Sequence, residues 1–498
     1  MSSGESKTMN SEQQRSTRPD AVLSGIHGRI AVIAGISVAV HLWLIFTFPI
    51  VFGGDSMARL VNRRQILLSH QLPLLQLCIY LLGRASAGVT PVRLFMSVIA
   101  ALAAVGFYLL ATKFLDSTAA FWGALLFATN PFLVAVSTVP YQEILMLAGL
   151  LFAFRFVWEQ RWIPASLCLG LACLTRYEAW AAAPVLAFAY AQEQGFRPAA
   201  WTKSVLLFGW VPLSWIVFHH GLASSGSFVL DHSITFWRLQ RLLYISWITA
   251  KETTIPTLVL ALWGMALVIR FRPWCNRRFL LGGAFLLLFS IALLFSAHGD
   301  TPDPERYISS REAHIPITTV TLLAAFALRR RTRLHVGLAL LSVALGSYGA
   351  FRFVQHETAR PEIRLGYELA QYLDHNMGSR EYVLVLARPI APQSVKMYLA
   401  KAYELGGRAG LREARRELER VDTSPLDYQR TLIHTHLRWE QLAAFPKMPP
   451  KLDWIAVWSD FAPIDRHSAE WKRLAFANPA AMVQYGGRSV ALYHAQRR

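Results

Sequence analysis

Charged residues are scarce: Asp, Glu, Lys and Arg make up 16% of the 498 residues, where soluble domains carry about 25%. That shortage disfavours a soluble enzyme. Acidic residues are the scarcer sign, 31 against 50 basic ones, which leaves a net charge of +19 and an isoelectric point near 10.1. In a soluble protein such an excess points to nucleic acid. Here 54% of residues are hydrophobic and mean hydropathy is +0.33, so the basic residues read better as loop charges of a membrane protein, and no nucleic-acid partner is expected. Cysteine is also rare. Cys78, Cys168, Cys173 and Cys275 are scattered with no CxxC pair, which argues against a disulfide framework or a zinc site. Residues 1–28 are polar and contain no apolar signal-peptide core, so they read as a short disordered cytoplasmic tail. No repeat with a period of roughly 20–50 residues is visible.

What is abundant is long apolar sequence. Stretches near the ~20 residues that a helix needs to cross a bilayer occur at 29–50, 91–112, 118–138, 141–158, 162–175, 179–192, 203–219, 255–270, 279–297, 314–328 and 334–353, eleven in all. The stretch 162–175 is short, which predicts a tilted or partly re-entrant segment, or misjudged ends. Orientation follows from loop arginines. Arg270, Arg272, Arg277 and Arg278 form one cluster, and Arg329, Arg330, Arg331 and Arg333 another. Both fall on the side of the N-terminal tail and mark the cytoplasm. Longer loops at 51–90, 219–254 and 298–313, with everything after 354, then lie outside.

After 354 the pattern changes. Residues 381–386 and 453–458 read as buried strands, 361–377 and 425–443 have helical spacing, and Gly486-Gly487 marks a terminal hairpin. No phosphate loop or nucleophile elbow occurs there. The expected fold class is an α-helical polytopic membrane protein of about eleven transmembrane helices with a small C-terminal extracytoplasmic α/β domain. The division is a tail at 1–28, a membrane domain at 29–353 and the α/β domain at 354–498.

Polar residues avoid the middles of the apolar stretches and gather at their outer ends. A transporter would place ionisable groups near the midplane; chemistry on a lipid head group needs them at the interface. Val51-Phe52-Gly53-Gly54-Asp55-Ser56 follows the first stretch. Beyond it Met57, Leu60, Val61, Leu67 and Leu68 recur near helical spacing, with Arg59, Arg63 and Arg64 interleaved, as in a helix lying in the membrane plane. A second short helix follows and ends at Gly83. Asp55 has two readings, a helix cap or a reacting carboxylate. Glu143, in Pro140-Tyr141-Gln142-Glu143, either complements a helix dipole or faces substrate. Arg176 and Glu178, in Leu174-Thr175-Arg176-Tyr177-Glu178-Ala179-Trp180, form either an interfacial ion pair or a substrate contact. The loop from His298 to His314, with Asp300, Asp303, Glu305, Arg306, Tyr307, Arg311 and Glu312, is either a solvated loop or an anion site.

This ordered set resembles the GT-C superfamily of membrane glycosyltransferases, and most of all the bacterial enzymes grouped with protein O-mannosyltransferases and lipid A aminoarabinose transferases. The resemblance covers about 29–353. It implies transfer of a sugar from a polyprenyl-phosphate donor to a glycan, lipid or protein acceptor, outside the cell (inner) membrane, amid membrane lipids. It implies Asp55 as the catalytic acid/base and Glu143 as a second acidic position that orients acceptor or, in some members, a divalent metal ion. It also implies Arg176 and Arg306 as ligands of the donor phosphate, supported by Tyr307, with Arg59 and Glu178 as further substrate-binding residues. Arg311, before Ala313-His314-Ile315-Pro316, competes with Arg306 as the phosphate ligand. Ser56 stands where some relatives carry a second acidic residue, and the Trp-Trp-Asp signature of oligosaccharyltransferases is absent. The competing readings are a lipid-linked glycan polymerase or ligase, and a non-enzymatic flippase or transporter of lipid-linked sugar.

Overall fold

A computed structural model describes residues 19–61, 72–85, 89–222, 239–271, 277–295, 313–330, 332–376, 383–386, 454–458 and 478–494. The apolar stretches form helices because an α-helix satisfies its own backbone groups where no water is at hand. They are α1 (Pro19–Thr47), α4 (Thr90–Ala111), α5 (Ser117–Ala128), α6 (Pro131–Ser137), α7 (Glu143–Trp158), α8 (Trp162–Cys173), α9 (Ala182–Glu193), α10 (Pro198–Leu222), α12 (Ile255–Phe271), α13 (Arg277–Phe295), α14 (His314–Ala327) and α15 (Arg333–Thr358). Between them lie α2 (Gly54–Val61), α3 (Pro73–Ala85) and α11 (Leu239–Lys251), and α16 (Pro361–Asn376) follows the bundle.

Each of the eleven apolar stretches coincides with a helix or a helix pair. Four helices among the described residues are long and apolar enough to cross a membrane: Gly25–Thr47, Thr90–Ala111, Pro198–Phe218 and Arg333–Thr358. The stretch 118–138, expected as one helix, is broken: α5 and α6 meet at a 56° bend and together make a fifth candidate span. The cause is local. Asn130 accepts hydrogen bonds from the amides of Phe132 (3.1 Å) and Leu133 (3.0 Å), and Pro131 takes the first helical position. Together they start a new helix rather than continue the old one. The remaining helices are shorter. α7, with 16 residues, reaches only about 24 Å at its rise per residue, below the ~30 Å of a hydrocarbon core.

The interior is held by close packing of small and aromatic side chains. Ala103, Ala104, Phe107, Phe127 and Ala325 are buried where α4, α5 and α14 meet, and a second cluster from Met146 to Ile315 joins α7, α8, α9 and α13. α10 buries Phe208 and Val211 in that second cluster and leaves Leu206, Leu213 and Val217 exposed on its other side, as a helix with one lipid-facing side requires.

The chain then forms a four-stranded sheet of β1 (Val383–Leu386), β2 (Trp454–Trp458), β3 (Pro479–Tyr485) and β4 (Arg488–His494), in the order β1-β2-β4-β3. β1 pairs parallel to β2, and the other pairings are antiparallel. The expected strands and hairpin are thus present. Gly486 and Gly487 have φ of 56° and 74°, the left-handed pair that a tight two-residue hairpin turn needs. Leu365, Leu369 and Leu373 form one stripe of α16 and are buried with Trp454, Ala456, Val490 and Leu492, and Arg488 pairs with Glu362 at 2.6 Å. The helix expected at 425–443 lies outside the described residues.

Candidate active site

The site begins where α1 ends. Val51 and Phe52 are buried, and Gly53 turns the chain with φ +84°. A Cβ at this position would overlap the Tyr141 hydroxyl, so only glycine fits, on both backbone and packing grounds. The Ser56 hydroxyl donates back to the Gly53 carbonyl at 2.8 Å, and the Met57 amide reaches the same carbonyl at 3.1 Å. These contacts wind α2 immediately after the turn. Asp55 lies in its first turn, partly exposed. It is therefore inside the helix rather than at the residue before it, where a side-chain cap would sit.

Arg59, one turn further on, is 1% exposed. Its interleaving with apolar residues predicts the polar side of a helix lying in the membrane plane. Instead, the face carrying Ser56, Met57, Arg59 and Leu60 is the one that packs inward. The Arg59 carbonyl accepts from Gln76 of α3 at 3.3 Å, and its guanidinium donates to the Gln142 side-chain oxygen, while the Gln142 amide nitrogen donates to the Thr175 carbonyl. That amide orientation is the one that satisfies both partners. The Leu74 amide at the start of α3 donates to the Leu174 carbonyl at 3.0 Å. In this way α2, α3 and the segment after α8 are tied to one turn.

That turn is Val139-Pro140-Tyr141, closed by the Tyr141 amide on the Val139 carbonyl at 2.7 Å, with proline at the centre where its fixed φ suits a three-residue turn. It delivers Glu143 as the first residue of α7, 1% exposed. Arg176, extended at φ −147°, reaches across and bonds both neighbouring acids. One guanidinium nitrogen meets Glu143, and Nε donates to the two Glu178 carboxylate oxygens at 3.0 and 2.9 Å. Glu178 sits in the 3-10 turn Tyr177–Ala181. Burial alone would raise its pKa, but the Arg176 guanidinium outweighs burial, with His314 adding to the effect, and the carboxyl is held at about 2.

Five of the expected residues, Asp55, Arg59, Glu143, Arg176 and Glu178, therefore share one region at one end of the bundle. Arg306, Tyr307 and Arg311 lie outside the described residues. Sequence reading had not singled out Gln142, Gln76, Tyr141 or His314. Gln142 directly precedes Glu143, but nothing in its spacing predicts that it bridges two loops. His314, the first residue of α14, is buried and helps to lower the Glu178 pKa. Among the described residues no three His, Cys, Asp or Glu side chains converge as a divalent-ion site requires; Arg176 stands between Glu143 and Glu178.

No protein-family model matches the chain, and no curated protein matches it. Solved structures do. ArnT from Cupriavidus metallidurans in the apo state superposes with a TM-score of 0.58 at 12% identity, over 95% of this chain and 98% of that one. The same protein bound to undecaprenyl phosphate gives 0.51 at 11% identity, over 97% and 100%. The Archaeoglobus fulgidus oligosaccharyltransferase with zinc and sulfate gives 0.46 at 15%, over 86% and 67%. ArnT is a lipid A aminoarabinose transferase of the GT-C superfamily, and the match to its apo form over 95% of this chain shows a shared fold.

Proposed function

We propose that this chain is an integral membrane glycosyltransferase that moves a monosaccharide from a polyprenyl-phosphate carrier to a hydroxyl acceptor on the extracytoplasmic side. The observation that carries the reading is the gathering of Asp55, Arg59, Glu143, Arg176 and Glu178 at one end of a GT-C bundle. Chemistry on a lipid-borne phosphate needs ionisable groups at that level and not at mid-bilayer. The ArnT structure with undecaprenyl phosphate supports a donor of this class.

In this reading Asp55 takes the proton of the acceptor hydroxyl as it attacks the anomeric carbon. Glu143, on Arg176, orients the acceptor. The bond from the anomeric carbon to the phosphate oxygen breaks and leaves polyprenyl phosphate, whose growing charge calls for cations. The phosphate falls to Arg176, which also bonds the two carboxylates, and to Arg306 or Arg311, with Tyr307 in support. Incubation of the purified protein with the lipids that accompany it from its membrane tests the whole reading. Mass spectrometry should find free polyprenyl phosphate formed in step with a glycosylated acceptor. Sugar-bearing lipid left intact through repeated cycles would mean a flippase instead.

The eleven-helix topology belongs to the same proposal, with the tail at 1–28 inside, the membrane domain at 29–353 and the α/β domain at 354–498 outside. The two arginine clusters motivate it. A reporter active only in the cytoplasm should work when fused after Arg278 or Arg333 and be silent after Arg360. Activity after Arg360 would put the sheet on the cytoplasmic side.

A further inference from the structure

The two loops that carry Asp55 and Glu143 share a buried joint beneath them. Arg93, in the first turn of α4, is 1% exposed although it bears a full charge. Its Nε donates to the Thr138 carbonyl at 2.9 Å, and Nη1 to the carbonyls of Phe48 at 2.8 Å and Ile45 at 3.4 Å. Thr138 closes α6, while Ile45 and Phe48 lie at the end of α1. One guanidinium thus gathers the C-terminal carbonyls of two helices, the ends where partial negative charge collects and intrahelical donors run out. One turn deeper the same two helices meet again. His41 of α1 contacts the Ser137 hydroxyl of α6 at 2.6 Å through Nε2 and the Ser37 carbonyl at 2.7 Å through Nδ1. From these ends it is seven residues to Asp55 and five to Glu143, counting from Phe48 (55 − 48 = 7) and from Thr138 (143 − 138 = 5). Each loop then bends back on the other, with Tyr141 over Gly53.

We infer that Arg93 is a positioning residue: it fixes the end of α1 against the end of α6, and so sets the separation of the Asp55 and Glu143 carboxylates. This rests on the reading of those two as the groups that face the acceptor. A planar fork suits the task because it meets carbonyls from two chain segments at once; lysine keeps the charge but offers a single compact head. Any apolar side chain would leave three carbonyls without their buried donor.

Hydrogen exchange, read by mass spectrometry on the full chain in lipid nanodiscs, tests this with wild type, Arg93→Lys and Arg93→Met. Exchange should speed up by at least about tenfold in Arg93→Met at 46–57 and 138–143, and by a smaller factor in Arg93→Lys. The body of α4 and the thermal midpoint of Arg93→Lys should keep wild-type values. If Arg93→Met does not accumulate, the lysine variant carries the same comparison. Unchanged exchange at 46–57 would overturn the inference, as would faster exchange spread along the whole of α1 and α4, which is the mark of an ordinary structural residue. The measurement reads no transfer. Loss of the glycosyltransferase reading would leave faster loop exchange standing, and unchanged loops beside an inactive Asp55 variant would reject Arg93 alone.

Discussion

Purified Asp55→Asn, assayed with its own lipid donor, should lose at least about a hundredfold in transfer rate while inserting and melting as the parent does. A hydroxyl is a poor nucleophile at neutral pH, and a positioned carboxylate contributes about 10²–10⁴-fold by taking its proton. Asparagine matches aspartate in shape and serves helix starts about as well, but it cannot accept that proton. Asp55 lies in the first turn of α2, where its charge also favours the helix dipole, an effect of about 0.3–1 kcal/mol. A purely structural Asp55 would change stability without a hundredfold loss of transfer. Near-parental turnover in the variant would remove Asp55 from the chemistry. A variant that fails to accumulate would be replaced by Asp55→Glu, which keeps the proton acceptor but displaces it, and should retain part of the activity.

The second large effect concerns Arg176. Replacement by methionine leaves Glu143, 1% exposed, and Glu178 facing each other without the guanidinium that bonds both. Breaking a buried pair from one side typically costs about 3–5 kcal/mol. Arg176 and Glu178 side chains each keep 15% exposure, so the lower end applies, and for a chain of this length the thermal midpoint should fall by about 3 °C. The pH dependence separates this from a general loss of packing. In the parent, Glu178 is held at about 2 against an ordinary 4.5. Its ionised form therefore adds stability above pH 4.5, and that contribution fades as pH falls from 4.5 towards 2. Without Arg176, burial drives the carboxyl up instead, so the variant should recover stability on acidification over the range in which the parent is still constant. Parallel pH profiles for the two proteins would show that Arg176 does not hold Glu178 ionised. Arg176→Lys should fall between, since one ammonium cannot serve both carboxylates bidentately.

The helices were legible because apolar runs of span length leave few alternatives, and the hairpin because Gly486-Gly487 has a defined turn geometry. The break at Asn130-Pro131 was written in the sequence as a cap followed by proline, but the apolar run on either side concealed it. The proximity of the five candidate residues within the described chain agrees with their places in the segments just outside the apolar stretches. Their partners were not legible. Arg59 shows why: periodicity places it on a face of α2, yet which face turns inward depends on α3 and on Gln142, far away in sequence. Arg93 is harder still, since a lone arginine at the start of an apolar stretch looks like any interfacial charge, and its three carbonyl partners lie 45 to 48 residues away.

The contact between Gly53 and Tyr141 ties two distant positions into one heritable unit. Because the tyrosine hydroxyl occupies the space of the missing Cβ, a side chain at 53 becomes sterically possible only in a lineage that has first lost the ring at 141. The positive φ at 53 then still selects asparagine or aspartate over bulkier residues. A drift through bulky residues at 53 beside an intact tyrosine would pass through forms that cannot close the loop. Among descendants of this sequence, the two positions should change in that order or stay as they are.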